Sequence, residues 1–386
     1  MYSRRISPPE HGMNILSTIY HLPFSPLQNN AMLWRIVNIR DLLEKHGIHT
    51  DLAYFTSWYL REKNHNNDDF PRMSTIRSFF PQYSYLRCLK QHEYDCIYAN
   101  TSWAGFHSIL GKKLNGLPMV VDCHGIPSEE FIMGAPPTRI SDFFRFTVLK
   151  MVDTWGIRNA DLVICVSDSM RDYLAEHLDV PPETMCVIPN GVDIDFFRYH
   201  GENTARLKEE LGLQGKMVFG YLGGVQQWQG VDAFIRAARR TRSDALGFLL
   251  VGGEERYRKG NLVSVPRIPR SEIPHYYSLC DVLVLPRPAH PATAVAAPTK
   301  FGEYAAMGKP ILTTDVGDAS RYVRDYRNGI VVKSADDLER GIVAFSVKDE
   351  ADLIEMGENS RLLAENEFHW ERIANHLVHH LNGVVR

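Results

Sequence analysis

The sequence predicts an α/β protein built from two domains, each with a largely parallel sheet and crossover helices. The chain has 386 residues, enough for two or three domains at roughly 100–200 residues each. Short apolar runs alternate with longer amphipathic segments, the pattern expected of parallel strands joined by helices. This alternation restarts near residue 216, after a cluster of turn residues at 189–193.

The first domain begins with a predicted strand at 13–17 and a predicted helix at 31–46. In the helix, apolar residues recur three or four positions apart, so they share one face. Gly47 follows, where a left-handed cap costs glycine little. We place this Rossmann-like domain at 13–195. Its further predicted strands are 48–55, 96–99, 119–122 and 162–166.

The second Rossmann-like domain is placed at 205–365, with a helix at 230–240. Residues 160–167 and 280–286 share a small residue, an Asp and a buried-strand run, which suggests one topology used twice. The predicted strands are 217–222, 248–252, 311–314 and 330–332.

The final segment, 366–386, is predicted to be an amphipathic helix. Trp370, Ile373, Ala374, Leu377 and Leu381 share one of its faces. A helix added after a complete domain must bury that face elsewhere. We expect it to pack on the first domain.

Composition excludes several classes of protein. Charged residues make up 23% of the chain and the net charge is -3, which does not favour nucleic-acid binding. No apolar stretch approaches the ~20 residues that span a bilayer, and the polar first dozen residues are expected to be a leader rather than a signal peptide. The six cysteines form no C-x-x-C pair, so we expect buried free thiols in a reducing cytoplasm. No G-x-G-x-x-G follows a predicted strand, which disfavours a nicotinamide dehydrogenase.

The most specific chemistry lies in the segment at 298–310. Thr299 is a candidate helix cap and Gly308 a candidate stop. A helix N-terminus and the ammonium of Lys300 would both attract an anion. Glu303, in the first turn, could accept hydrogen bonds from ribose hydroxyls. The combination suits a nucleoside diphosphate, and an ordinary capped surface helix with an ion pair is the alternative.

With the segments at 188–193, 220–232 and 271–281, this run resembles the retaining glycosyltransferase family 4, also described as glycosyl transferases group 1. The resemblance covers residues 90–386. It implies the GT-B fold, in which two Rossmann-like domains face each other across a cleft that holds the donor. It further implies that the C-terminal helix returns to the first domain, and that the donor is a UDP- or GDP-sugar bound without a metal or other cofactor.

The same resemblance assigns site residues. His124, at the C-terminal end of a predicted strand, and Lys300 would act at the donor sugar and the departing phosphate. A loop histidine with satisfied hydrogen bonds is the alternative for His124. The residues expected to bind the donor are Glu303, Thr299, Arg267, Gly224 and Gln229.

Some positions depart from the pattern of this family. The first of its two glutamates falls at Val295, and its basic pair falls at the neutral Tyr221 and Gln229. The glycine-rich loop after the first strand is replaced by the sequence at 23–30. Diphosphate binding must then use Lys300, backbone N–H groups within 292–299, or one of the arginines at 267, 270 and 287.

Two patterns resemble metal sites. Asp193 and Asp195 form a D-x-D, which we interpret as part of a turn. Three histidines at 376, 379 and 380 have a helical spacing that can bind metal, but they flank the apolar stripe and fit a solvated face better.

Two regions, 57–92 and 143–158, mix aromatic and basic residues. Such surfaces bind anionic membranes, line acceptor clefts or simply pack. We therefore expect a cytoplasmic protein, with peripheral membrane contact as one hypothesis.

The sequence thus predicts transfer of a sugar from a UDP- or GDP-sugar to a hydroxyl of a glycan or lipid-linked glycan, with retention of configuration. A sugar-nucleotide 2-epimerase is one rival. A non-catalytic protein that binds nucleotide sugars or a partner is the other.

Overall fold

The structure is a computed structural model that describes residues 12–20, 31–57, 73–78, 81–134, 137–201 and 204–385. The loop at 23–30, nearly all of the leader, and residues 58–72 and 79–80 of the first aromatic and basic region lie outside this part. The chain divides into two compact units, one within 1–132, 137–188 and 374–386 and the other within 133–136 and 189–373.

The first unit contains a parallel sheet of seven strands in the order β3-β2-β1-β4-β5-β6-β7. Its strands are β1 (Asn14–Tyr20), β2 (His49–Ser57), β3 (Met73–Ser78), β4 (Cys96–Asn100), β5 (Met119–Cys123), β6 (Leu162–Cys165) and β7 (Met185–Val187). Its helices are α1 (Ala31–Lys45), α2 (Pro81–Gln91), α3 (Ser102–Asn115), α4 (Pro127–Gly134), α5 (Ile140–Arg158) and α6 (Asp168–Leu178). All strands predicted for this domain are confirmed to within a few residues, whereas β3 and β7 were not predicted.

The second unit has a sheet of seven strands in the order β10-β11-β9-β8-β12-β13-β14, with β10 antiparallel to β11. Its strands are β8 (Met217–Leu222), β9 (Leu246–Gly253), β10 (Tyr257–Lys259), β11 (Leu262–Pro266), β12 (Val282–Leu285), β13 (Ile311–Thr314) and β14 (Gly329–Val332). Its helices are α7 (Thr204–Glu210), α8 (Val231–Arg240), α9 (Ile273–Ser278), α10 (Pro291–Val295), α11 (Thr299–Ala306), α12 (Gly317–Tyr326), α13 (Leu338–Ser346) and α14 (Glu350–Leu363). A π-helical turn (Ala364–Phe368) leads into α15 (Trp370–Val384).

Both sheets reverse their strand order once along the sheet. The reversal falls between β1 and β4 in the first unit and between β8 and β12 in the second. In open α/β sheets, ligands gather at the carboxyl ends of the strands at such a point. We therefore expect a ligand site of the second unit at the carboxyl ends of β8 and β12.

Alternation along the strands explains the core of the second unit. Phe219 and Tyr221 of β8 belong to one apolar cluster, and Val218 and Leu222 to another. Successive side chains of a strand point to opposite faces, so each face of the sheet has its own buried cluster. Helices cover both faces, as a parallel sheet requires.

The matching segments at 160–167 and 280–286 make the same pair of local hydrogen bonds. The carboxylate of Asp161 accepts from the N–H of Met119 at 2.8 Å, and the carboxylate of Asp281 accepts from the N–H of Val218 at 2.7 Å. Each Asp also donates its own N–H to a carbonyl at the start of the neighbouring strand, in both cases at 2.8 Å. The segments do not occupy equivalent places, because β6 lies beside β5 whereas β12 lies beside β8.

The final helix, α15, buries four of the five residues of its predicted stripe, whereas the fifth, Trp370, is only partly buried. Ile373, Ala374, Leu377 and Leu381 are each at most 4% exposed. Residues 374–386 cluster with the first unit, although they follow the second unit in sequence. In the part of the chain that the structure describes, no helix is long and apolar enough to cross a membrane.

Candidate functional site

The second unit brings three predicted residues together beyond the end of β8. The ammonium of Lys300 donates to the hydroxyl of Tyr221 at 2.7 Å and to Oε1 of Gln229 at 2.9 Å. It also lies 4.4 Å from the centre of the Tyr221 ring. The Tyr221 hydroxyl donates onward to the carbonyl of Gly224 at 2.6 Å. Lys300, Gln229 and Gly224, predicted as site residues, therefore form one network with Tyr221.

The loop after β8 contacts Lys300 through a glycine. Gly223 has φ +145°, and a Cβ there would lie 2.7 Å from the Lys300 ammonium. A side chain at this position would be strained and would push the lysine away. The bare backbone thus allows Lys300 to reach the end of β8.

The ammonium of Lys300 is held in a protein environment that disfavours its charge. Burial, and after it the nearby charge of Arg287, lower its pKa to about 7, although the charge of Glu303 opposes them. Within the described residues Lys300 makes no ion pair, and its two hydrogen-bond partners are neutral oxygens. An added anion would therefore be well placed to compensate this charge.

Arg287 is a second cation near this lysine. It lies two residues after the end of β12 and is only 6% exposed. The hydroxyl of Thr314, at the end of β13, donates to the Arg287 carbonyl at 2.7 Å and fixes the backbone there. Two cations near a strand-order reversal would attract an anionic ligand such as a diphosphate.

The helix α11 begins at Thr299, as predicted, but the prediction that Thr299 caps it is wrong. Pro298 occupies the capping position with extended dihedral angles, and no side chain caps the helix. Proline carries no oxygen in its side chain, so the first N–H groups of α11 receive no such partner. Gly308, predicted as the stop, follows the helix with φ +64°.

Glu303 is the fifth residue of α11, at the start of the second turn rather than in the first turn as predicted. Its Oε2 accepts from the hydroxyl of Tyr277 at 2.7 Å, and its Oε1 lies 3.7 Å from Arg270. Burial and the charge of Glu303 raise the pKa of Tyr277 well above its ordinary value, so this hydroxyl stays a donor. Tyr277 thus orients a carboxylate that is itself 13% exposed.

Two other positions are placed differently. Val295 ends α10 and is 1% exposed, so an apolar core contact stands where the family pattern has its first glutamate. Arg267 follows β11 as an exposed side chain, with β9 between that strand and β8. Arg267 is thus farther along the sheet edge than Arg287.

The first unit has a buried charge cluster at the end of β5. Asp122 accepts from Arg35 Nε at 3.0 Å and from the Tyr98 hydroxyl at 2.8 Å. Nε2 of His124 lies 3.2 Å from the same carboxylate. Burial by itself would raise the pKa of Asp122, but Arg35 and then His124 outweigh burial and hold the pKa well below its ordinary range. Within the described residues neither ring nitrogen of His124 has a hydrogen bond of good geometry.

The sequence pattern pointed to His124 but not to Asp122 or Arg35. The available signal was an aspartate inside the apolar run Val120-Val121-Asp122-Cys123. A buried carboxylate needs a charged partner, and Arg35 supplies it from α1. Arg35 also donates to the carbonyl of Ile188 at 2.9 Å, which ties α1 to the end of this unit.

The two patterns that resembled metal sites have local explanations. The Asp193 carboxylate accepts from the N–H groups of Asp195 at 3.1 Å and Phe196 at 2.9 Å, which makes it a turn residue. On α15, Nε2 of His376 and His380 lie 3.1 Å apart on an exposed surface. No group of three or more candidate metal ligands occurs among the described residues.

Comparisons with known proteins identify the class. Residues 35–196 match the model of Glycosyltransferase Family 4, and residues 216–346 match that of Glycosyl transferases group 1. These two matches make the protein a glycosyltransferase. Its two Rossmann-like units have the GT-B fold of similar solved structures. The chain belongs to glycosyltransferase family 4, in glycosyl transferases group 1.

Several curated relatives are similar over different lengths. A Bacillus subtilis glycosyltransferase named for teichuronic acid biosynthesis, TuaH, is 27% identical over 48% of this chain and 49% of that protein, so this match spans about half of its length. The UDP-Gal:alpha-D-GlcNAc-diphosphoundecaprenol alpha-1,3-galactosyltransferase of Escherichia coli is 24% identical over 77% of each chain.

Solved structures share the fold. Sucrose-phosphate synthase of Thermosynechococcus elongatus has a TM-score of 0.72 at 19% identity, over 96% of this chain and 98% of that one. HepE of Anabaena in complex with UDP has a TM-score of 0.73 at 18% identity, over 96% of this chain and 100% of that one.

Proposed function

We propose that this glycosyltransferase moves a sugar from a UDP- or GDP-sugar to a hydroxyl of a glycan or lipid-linked glycan, with retention and without a metal. The observation that carries the proposal is the Lys300 ammonium, which neutral Tyr221 and Gln229 hold at the start of α11. Diphosphate oxygens are the natural counter-charge for such a group. The E. coli and Anabaena proteins, whose names or structures contain UDP-sugars or UDP, support this donor class.

In the proposed reaction the bond between the anomeric carbon and the diphosphate oxygen breaks. The acceptor hydroxyl oxygen forms the new bond to the anomeric carbon, and its proton passes to the departing diphosphate, which leaves as the nucleoside diphosphate. Negative charge builds up on the departing diphosphate, and Lys300, Arg287 and the N–H groups at the start of α11 stabilise it. Arg287 takes over the part that a basic pair plays in the family pattern, because Tyr221 and Gln229 are neutral here.

The remaining predicted residues have subsidiary parts in this proposal. Glu303 accepts hydrogen bonds from the ribose hydroxyls, with Tyr277 orienting its carboxylate. Gly224 and Thr299 bring backbone groups to the phosphates. His124 contacts the donor sugar or the departing phosphate through a ring nitrogen, beside the Asp122 carboxylate that lies 3.2 Å from its Nε2. Arg267, being exposed and farther along the sheet edge, would contribute long-range charge.

The compartment is proposed to be reducing and cytoplasmic. All cysteines are free, and those at 96, 123, 165, 186 and 280 are buried, as thiols that never pair would be.

The test is an assay of donor consumption with UDP- and GDP-sugars and a panel of sugar and undecaprenyl-diphosphate-sugar acceptors. We expect consumption to require an acceptor, and NMR of the product to show the anomeric configuration of the donor. Conversion of free donor to its 2-epimer would identify an epimerase instead.

Val295 favours one other candidate, a non-catalytic nucleotide-sugar-binding protein, because the position of the first family glutamate is an apolar core residue. Saturable UDP or GDP binding with no turnover across the whole acceptor panel would support that candidate and contradict transfer.

A further inference from the structure

The outer face of α5 is apolar and exposed. Its large apolar side chains recur three, four or seven positions apart, so at 100° per residue they share one side of the helix. Their exposed fractions are 89% for Ile140, 55% for Phe143, 72% for Phe144, 44% for Met151 and 58% for Trp155. Scattered exposed apolar residues need no explanation, but a continuous stripe of this kind marks an interaction surface.

The exposure of this face does not result from loose packing of the helix. The opposite side of α5 packs on α3 so closely that a Cβ at Gly156 would lie 2.0 Å from the carbonyl of Ser102. The hydroxyl of Ser102 donates to the buried Asp153 carboxylate at 2.6 Å. The two helices therefore form a rigid pair that presents the apolar stripe outward.

The charged residues of α5 that border the stripe are basic. They are Lys150, which makes no ion pair among the described residues, and Arg158, which lies 4.0 Å from the exposed carboxylate of Asp179. The acidic residues of α5, Asp142 and Asp153, lie on the other side of the helix. Asp153 is fully buried. The neighbouring helix α3 contains no acidic residue and two lysines, of which Lys112 is paired with Asp161 at 2.7 Å. A membrane with anionic headgroups fits a face of aromatic side chains bordered by cations.

We propose that the outer face of α5 is a membrane-docking surface that binds anionic lipid bilayers. Phe143, Phe144 and Trp155 enter the boundary between headgroups and acyl chains, and Lys150 and Arg158 reach the headgroups. A second copy of the chain is a poorer occupant, because a two-fold contact through α5 would bring the same cations together. Docking at this face would hold the enzyme beside lipid-linked acceptors.

The test is cosedimentation of the full chain with vesicles of phosphatidylcholine, with and without phosphatidylglycerol. We expect binding to the anionic vesicles that weakens with added salt. Replacing both Phe144 and Trp155 by Ser should reduce the partition coefficient by about tenfold or more. The matched control is Val347→Ser, which removes a side chain that is 81% exposed but lies on another part of the chain.

A charge variant gives an independent measurement. Lys150→Gln should weaken binding to anionic vesicles by about fivefold and leave any binding to neutral vesicles unchanged. Failure of the wild-type chain to bind anionic vesicles, or equal binding by the Phe144 and Trp155 double variant, would overturn the proposal. So would a wild-type dimer that the double variant converts to a monomer without any vesicle binding.

Stabilisation by UDP or GDP is measured on the same samples. We expect it to be the same in wild type and in the α5 variants, so docking and donor binding can fail separately.

Discussion

The ammonium of Lys300 lies 2.7 Å from the hydroxyl oxygen of Tyr221, at a position where the family pattern has a basic residue. A neutral group thus orients the lysine instead of repelling it. The Tyr221 proton is directed to the Gly224 carbonyl, so the hydroxyl oxygen faces the ammonium as an acceptor. This arrangement fixes Lys300 in place and leaves its charge available for a diphosphate.

Binding of UDP or GDP should depend on pH above neutrality. Burial lowers the pKa of free Lys300 to about 7, and a bound diphosphate would return it toward its ordinary value of 10.5. Binding then takes up a proton above pH 7, so the Kd should rise by up to about tenfold per pH unit. Calorimetry between pH 6.5 and 9 measures this, and a flat profile that matches Lys300→Ala would contradict it.

The lowered pKa of Lys300 also predicts how the stability of the free protein depends on pH. The folded state holds the Lys300 proton less tightly than the unfolded chain does. The unfolded chain therefore binds more protons between about pH 7 and 10.5, and this residue makes the free energy of unfolding rise with pH in that window. Lys300→Met should remove this contribution in urea titrations. An identical pH dependence in wild type and variant would show that Lys300 keeps an ordinary pKa.

Glu303→Gln should raise the KM for the donor by about ten- to hundredfold, because a charged acceptor of ribose hydroxyl hydrogen bonds is lost. Tyr277→Phe should have a smaller effect in the same direction, since it removes only the group that orients Glu303. Initial rates at varied donor concentration provide the measurement. If a 2′,3′-dideoxyribose nucleotide bound wild type as tightly as its parent, the ribose role of Glu303 would be wrong.

Leu377→Ala should lower the free energy of unfolding by about 2–5 kcal/mol, because it leaves a cavity in a fully buried stripe of α15. Asn375→Ala on the exposed side of the same helix is the matched control and should change little. Deleting 366–386 should destabilise the first unit, with which residues 374–386 cluster. Unchanged melting of the Leu377 variant or of the truncated chain would contradict this account of α15.

Turnover should survive EDTA. In the proposed mechanism Lys300, Arg287 and the start of α11 supply positive charge for the leaving diphosphate. The carboxylate of Asp193 already accepts two backbone N–H groups. Initial rates with chelator, and then with added Mg²⁺ or Mn²⁺, measure this. Activity lost in EDTA, restored by Mn²⁺ and abolished by Asp195→Asn would show a metal-dependent mechanism.

Periodicity predicted most of the fold because buried parallel strands are short apolar runs. The strands at Met217–Leu222 and Ile311–Thr314 coincide with their predictions. The edge hairpin of Tyr257–Lys259 and Leu262–Pro266 was not predicted, since its first strand is polar and only three residues long. Local patterns also could not predict that β6, which follows Asp161, and β12, which follows Asp281, occupy different places in their sheets.

The site was only partly predictable, because its contacts join distant segments. The run at 298–310 pointed to Lys300 and Glu303, but the hydrogen bonds to Tyr221 and Tyr277 span 79 and 26 residues. The prediction that Thr299 caps α11 failed by one position because Pro298 already has the extended dihedral angles of a cap. Arg287 remained one of several candidate cations until its burial beside the Lys300 network was known.

The central claim is that Lys300 binds the diphosphate of the donor, and the most direct measurement is the affinity of Lys300→Ala for UDP or GDP and for the matching nucleoside. We predict that the variant loses about 1.5–3 kcal/mol of diphosphate binding and none of the nucleoside binding. Lys348→Ala, which removes a surface ion pair with Asp352, should match wild type in both. Equal affinity of Lys300→Ala and wild type for the nucleoside diphosphate would contradict the account.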